Sequence, residues 1–131
     1  DLIPQAAYLL SGEVPVAPHA FGQEGDDRNA AVAQMQFVLW RLEAQQDWRR
    51  DALFAALKAL AEAMGIKPKA LFAPLFVALS GQSVAYSIPD SMAILGPDMT
   101  RARLRHAIDV CGGVSKKALK RLEKEYAALA L

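Results

Sequence analysis

Residues 68–81 read PKALFAPLFVALSG, and this stretch decides the fold. Pro68 suits the first turn of a helix, because the N–H that proline lacks would have no partner there. The segment Ala70–Leu79 is apolar on nearly all sides, which is typical of a helix enclosed by other elements. A Ser-Gly pair then ends it. We therefore predict a central, buried helix.

Apolar residues also recur at helical spacing on both sides of this stretch, and the alternation of half-buried strands is almost absent. We predict an all-α fold, a helical bundle or cage of six to seven helices. Asp27, Asp47, Asp98 and Ser115 are the N-cap candidates, and Gly65 is a C-terminal stop. The predicted segments are a short apolar stretch at 2–10, a loop at 12–27, helices at about 27–46, 47–64 and 68–80, a short helix ending at 95, a basic helix at 98–110 and a last helix after residue 115.

The length of 131 residues predicts one domain with one core. Hydrophobic residues make up 53 %, yet charged residues recur too often for a membrane span. The first ten residues lack the basic start and cleavage site of a secretory signal. Cys111 cannot form an internal disulfide, which favours a reducing compartment. We expect a soluble, cytoplasmic chain.

Charge is distributed unevenly along the chain. Residues 1–66 hold 5 Lys/Arg against 9 Asp/Glu, a balance of −4, whereas residues 67–131 hold 10 against 5, a balance of +5. The carboxyl-terminal half is therefore the part that would attract a polyanion such as RNA.

The residue pattern does not predict a catalytic, metal or nucleotide site. His19 and His106 have no cysteine or carboxylate at metal-ligand spacing, and we expect both to be surface or helix-face residues. Cys111 precedes Gly112-Gly113 near a helix C-terminus, where a thiolate is disfavoured, so a structural thiol is favoured. No phosphate-loop signature follows these glycines. We expect no cofactor in this chain.

Three groups of residues have both a structural and a functional interpretation. Trp40 and Trp48 flank a predicted inter-helix turn, where packing is favoured over base stacking. Arg101, Arg103 and Arg105 cannot all share one helix face, because steps of two residues rotate by roughly 200°. The last helix has a dense basic surface that is either a solvated face or an RNA site. Its basic residues are Lys116, Lys117, Lys120, Arg121 and Lys124.

The segment Trp48–Ala107 resembles the end of bacterial glutamyl-tRNA synthetases. In that family a tryptophan opens a helix, and a Gly-Leu/Ile-Lys turn leads to a buried Leu-Phe-x-Pro-Leu-Arg-x-Ala-Leu-Thr-Gly helix. A Leu-Leu-Gly turn and a basic helix follow. The corresponding parts here are Trp48, Gly65-Ile66-Lys67, residues 71–81, Ile94-Leu95-Gly96 and Arg101-Ala102-Arg103-Leu104.

The resemblance implies a helical anticodon-binding domain covering residues 1–131, with leading helices and a loop in 1–47, a family-like core in 48–108 and a helical extension in 109–131. It implies tRNA, specifically tRNA(Glu), and a catalytic domain of the same synthetase as partners, with no membrane or DNA. ATP would bind only in that catalytic domain, so this chain alone would be inactive. Arg103 matches the arginine of the final motif, and Arg103→Ala is expected to weaken tRNA binding. The candidate RNA-binding residues are Lys67, Lys69, Gln82, Arg101, Arg103, Arg105, Lys116, Lys117 and Lys120.

Two departures from the family pattern leave alternatives open. Phe76 stands where the family has arginine, so it either stacks on a base or fills the core. The Leu-Gly-Lys-Glu turn is here Leu95-Gly96-Pro97-Asp98, which loses a positive charge. A stand-alone paralogue that binds another RNA or a protein is therefore the second hypothesis, and a purely structural bundle is the third.

Overall fold

A computed structural model describes residues 26–80 and 88–131. All regular secondary structure in these two ranges is helical, as predicted. The predicted segment at 2–10, His19 and Gln82 lie outside the described residues. The helices are α1 Asp26–Glu43, α2 Arg50–Met64, α3 Pro68–Ser80, α4 Ile88–Val110 and α5 Lys116–Ala128.

The ends of α2 and α5 follow from local sequence signals. Gly65 adopts a left-handed conformation with φ 75° after α2, and the Ile66 N–H donates to the Ala61 carbonyl at 3.0 Å. This is the hydrogen bond of a helix that closes on a glycine. Ser115 caps α5, where its hydroxyl accepts a hydrogen bond from the Ala118 N–H at 3.1 Å. Both predictions are confirmed.

The start of α2 differs from the prediction. Arg49 occupies the N-cap position and makes no side-chain capping bond. Asp47 lies two residues earlier, where its carboxylate accepts from the Arg49 backbone N–H at 3.1 Å and from the guanidinium at 2.9 and 2.7 Å. Asp47 therefore orders the turn before the helix and is not its cap.

Helix α3 packs against α1, α2 and α4, and most closely against α4. Leu71, Leu75 and Leu79 recur every four residues on its buried face. The opposite face is only partly covered, because Phe72 and Phe76 remain half-buried. The predicted helix is present, but it has one buried face and is not enclosed on all sides, and α4 has the larger contacts with the other helices.

Helix α4 bends once, at Gly96. This residue has φ 83° and ψ 168°, outside the helical region and readily adopted by glycine. Pro97 disfavours the helical conformation at the residue before it and cannot donate a backbone hydrogen bond. Trp48 secures the first half of α4, because its indole Nε1–H donates to the Met92 carbonyl at 2.8 Å.

Helix α5 packs on α1 through an aromatic cluster. The Tyr126 ring lies 5.5 Å from the ring of Phe37 and 5.4 Å from that of Trp40, between centroids. Leu122 is buried beside them. Trp40 and Trp48 are thus packing residues, as favoured from the sequence. Within the described ranges, no helix combines the length and apolarity needed to cross a membrane.

Candidate nucleic-acid interface

The three arginines of α4 divide between the inside and the outside of the bundle. Thr100, Leu104 and Ala107 mark the buried face of the helix, and Arg103 lies on that face with only 2 % of its surface exposed. Arg101 and Arg105, four residues apart, share the outer face. The geometric prediction that all three cannot face one ligand agrees with this arrangement.

The buried guanidinium of Arg103 holds two helices together. Its Nη1 donates a hydrogen bond to the Leu79 carbonyl, in the last turn of α3, and its Nη2 lies 3.8 Å from the Met99 sulfur. A cation near a helix C-terminus also interacts favourably with the negative end of the helix dipole. Arg103 is therefore placed inside the fold, and a direct RNA contact is not available to it in this structure.

The two outer arginines, Arg101 and Arg105, differ in ion pairing and exposure. Arg101 forms an ion pair with Asp98, at 3.2 Å between Nη2 and Oδ1. Arg105 is exposed on the next turn. This face can present positive charge, although Asp98 offsets part of it.

Lys67 and Lys69 lie at the junction of α2 and α3, and both are exposed. Lys67 precedes α3, and its carbonyl accepts from the N–H of Ala70 at 2.9 Å and of Leu71 at 3.3 Å. Because Lys69 is three residues before Phe72, these two side chains are neighbours on one face of α3.

An aromatic pocket lies between α2, α3 and the start of α4. Its walls include Phe54, Phe72, Phe76 and Pro89, and its volume is about 230 Å³. The rings of Phe54 and Phe72 are tilted by 57° with centroids 6.4 Å apart. Phe54 is 45 % exposed, so its ring is accessible from solvent at the pocket. Phe76 thus fills part of the core and also lines an open cavity.

The charges at the rim of the aromatic pocket are paired. Arg50 contacts Asp90 at 2.7 Å and Asp51 at 3.7 Å. One arginine beside two carboxylates leaves this rim with a net negative charge, so the apolar pocket suits a flat, uncharged group better than a phosphate. Lys58, exposed and four residues after Phe54, and Lys69 supply positive charge along the adjoining helix faces.

Sequence reasoning missed Phe54 and Lys58. The available signal was the helix register: Leu53, Leu57 and Leu60 form the buried stripe of α2, and Phe54 lies one position outside it. A single exposed aromatic residue is not informative, but Phe54 joins Phe72 in one apolar patch, and such a patch is a candidate surface for a ligand or partner.

The remaining candidates lie on α5. Lys116, Lys117 and Lys120 are all exposed there. The structure therefore distributes the other described candidates over three places, the α2–α3 junction, the outer face of α4 and α5, whereas Arg103 is buried.

Neither the thiol nor the tyrosine near α5 is activated. Partial burial raises the pKa of the Cys111 thiol and, likewise, the pKa of the Tyr126 hydroxyl above their ordinary values. Both groups are therefore protonated near neutral pH. Among the described residues, no three His, Cys, Asp or Glu side chains form a group that could hold a metal ion.

A family model described as "Anticodon binding domain" matches residues 1–108, most of the chain. The chain belongs to the anticodon-binding domain family. It is homologous to the C-terminal region of glutamate–tRNA ligases, and the resemblance found in the sequence is confirmed.

Three glutamate–tRNA ligases illustrate the relationship. The protein of Marinobacter nauticus is 47 % identical over 129 residues, that of Marinomonas sp. 50 % and that of Cellvibrio japonicus 48 % over the same length. Each alignment covers 98 % of this chain and 26 % of the relative. The chain thus spans about a quarter of the length of these curated relatives. Although α5 lies beyond the family match, the relatives align across it.

Proposed function

We propose that this chain binds the anticodon loop of tRNA(Glu) and positions that tRNA for aminoacylation by a separate catalytic domain, which binds ATP and glutamate. Membership of the anticodon-binding domain family and homology to glutamate–tRNA ligases support this proposal. The alternative of a stand-alone paralogue with another ligand is not favoured.

The aromatic pocket is the observation that carries the proposal. Proteins recognise single-stranded RNA loops by stacking unpaired bases on aromatic side chains. Phe54, Phe72 and Phe76 supply such rings at an open cavity. The aromatic ring of Phe76 therefore substitutes stacking for the hydrogen bonds that an arginine would make at this position.

Exposed cations outside the pocket supply the phosphate contacts of the proposal. Lys67 and Lys69 lie at the α2–α3 junction, and Arg101 and Arg105 lie on the outer face of α4. Contacts of this kind weaken as salt displaces them. Arg103 has a different part: it keeps the end of α3 in place, so Arg103→Ala acts on binding only through the fold.

Phe54→Ala tests the pocket with little risk to folding, because much of this side chain is already exposed. Loss of one stacking surface costs about 1–3 kcal/mol, or roughly 5- to 150-fold in the dissociation constant for tRNA(Glu). Ile94→Ala is the matched control, since Ile94 is also 45 % exposed but lies outside the pocket lining. Equal effects of the two variants, measured by fluorescence anisotropy, would contradict a base in the pocket.

Specificity needs a second measurement, in which only the anticodon changes. The tRNA(Glu) transcript is compared with the same transcript carrying an unrelated anticodon, at constant salt. We expect tighter binding of the glutamate anticodon, and a smaller difference in the Phe54→Ala variant. Equal affinity of the wild-type chain for the two transcripts would reject anticodon recognition and leave only charge attraction.

A further inference from the structure

Helix α5 carries a row of four cations on a single face. Lys117, Lys120, Arg121 and Lys124 stand at positions i, i+3, i+4 and i+7, so they are neighbours along the helix. The row is about 10 Å long, at about 1.5 Å of rise per residue. We call these four residues the α5 ridge. All four side chains are exposed.

The cations of the α5 ridge are available to a ligand. In the described parts of the chain, none of the four forms an ion pair with a carboxylate. Glu123 and Glu125 lie on the two flanks of the helix, between the ridge and the apolar face. They confine the positive charge to a narrow strip, which has the shape of a single phosphate backbone rather than of a broad anionic surface.

The opposite face of α5 is already occupied. Leu122 is buried, and Tyr126 packs against Phe37 and Trp40 on α1. Stable binding of an amphipathic helix to an anionic membrane combines charge attraction with entry of the apolar face into the lipid. That face cannot enter the lipid without losing its contacts with α1, so RNA is favoured over a membrane.

The composition of the ridge also selects among kinds of RNA. Single strands are bound by cations interleaved with aromatic residues on which the bases stack. The one aromatic residue of α5, Tyr126, packs against α1 on the opposite face, so no ring lies among the cations. Duplex RNA, in contrast, is recognised largely through its phosphates and shape. We propose that the α5 ridge binds the phosphate backbone of a double-stranded stem of the tRNA, independently of its sequence. This inference rests on the proposed tRNA binding and adds a second, separate contact to it.

The test removes the charge of the whole ridge at once. The variant carries Lys117→Gln, Lys120→Gln, Arg121→Gln and Lys124→Gln. Its control, Lys117→Arg, Lys120→Arg and Lys124→Arg, keeps every charge. Both are made in the full chain, and their circular dichroism and thermal unfolding are compared with the wild type, since exposed substitutions leave folding largely unaffected.

Binding of the tRNA(Glu) transcript is then measured between about 50 and 200 mM salt. Each lost phosphate contact lowers the slope of log K against log salt by roughly 0.7–0.9, so the glutamine variant should lose about 3 from the slope. Over that salt range its affinity should fall roughly 100-fold less than that of the wild type. The arginine variant should keep the wild-type slope. A blunt RNA duplex with an unrelated sequence should bind the wild type and not the glutamine variant.

The outcomes separate this inference from the proposed function. An unchanged slope in the glutamine variant, or equal binding of the blunt duplex by both chains, overturns the ridge contact. Ridge-dependent binding of phosphatidylglycerol vesicles with an unchanged RNA slope would assign the surface to a membrane and also overturns it. The absence of an anticodon preference in the wild type would contradict the proposed function alone. The difference in salt slope between the wild type and the glutamine variant does not depend on the anticodon.

Discussion

Most arginines in α4, in α2 and in the turn before α2 are bound to acceptors within the protein, either aspartates or a backbone carbonyl. The cations of α5, in contrast, face outward. Arg49 pairs with Asp47, Arg50 with Asp90, and Arg101 with Asp98. Arg103 is buried against the end of α3. The α5 ridge has no such partners among the described residues. A count of charged residues gives the net charge, but the positive charge that a polyanion meets depends on which basic side chains are buried or paired.

The largest test of this comparison is Arg103→Ala. The substitution leaves a cavity and removes a charged hydrogen-bond donor from the Leu79 carbonyl. We expect the free energy of unfolding to fall by about 3 kcal/mol. Arg105→Ala, on the exposed side of the same helix, should change it by less than about 0.5 kcal/mol. Urea denaturation measures both, and similar values for the two variants would refute a structural part for Arg103.

Tyr126→Ala should have the next largest effect, because it removes the ring that joins α5 to Phe37 and Trp40. We expect a loss of about 2 kcal/mol in the free energy of unfolding. Tyr126→Phe keeps the ring and should be near wild type. A change in the tryptophan fluorescence of the alanine variant before global unfolding would report that α5 separates first.

Asp98→Asn tests whether pairing withholds charge from RNA. An exposed ion pair contributes about 0–1 kcal/mol, so stability should change little. The affinity for tRNA(Glu) should nevertheless rise a few-fold at low salt, since the variant gains one positive charge and releases Arg101. Asp109→Asn, which makes the same charge change on an exposed residue of α4, is the control. An equal rise in both variants would attribute the gain to net charge alone.

The smallest expected effect concerns Asp47. The hydrogen bonds from the Arg49 side chain, and next those from its backbone, lower the pKa of this carboxyl from 3.8 to about 2. The stabilisation it provides is therefore present above pH 3.8 and is lost as the pH falls through about 2. NMR titration of the Asp47 side-chain carbon measures the midpoint. Arg49→Gln should return it towards 3.8, and a midpoint that does not move would exclude the ion pair as the cause.

Local signals allowed much of the fold to be predicted from the sequence. Gly65 and Ser115 end and begin helices through hydrogen bonds within a few residues, so their effect does not depend on the rest of the chain. The wrong prediction at Asp47 also concerns hydrogen bonds between near neighbours. The Asp47 carboxylate accepts from the Arg49 N–H two residues later, and α2 begins after that turn. Short polar side chains often have two such local partners.

The candidate site was harder to predict because it depends on the relative rotation of helices. Arg103 lies directly before Leu104 and four residues before Ala107, so the register could have placed it inside. The family motif instead directed attention to it as an RNA contact. The aromatic pocket brings together α2, α3 and α4, and no spacing within one helix encodes such a meeting. The proposed roles of the candidate residues remain predictions.

Because the helix is interrupted at Gly96, the rotation of one half of α4 about its axis does not fix the rotation of the other half. In a straight helix, inserting one residue would rotate everything beyond it by about 100°. Here Trp48 sets the angular position of the first half, and Arg103 sets that of the second. A change in chain length at the joint could thus be absorbed without turning Arg101 and Arg105 away from solvent. An insertion at Gly96 should therefore disturb the outward residues of this helix less than an insertion within either half.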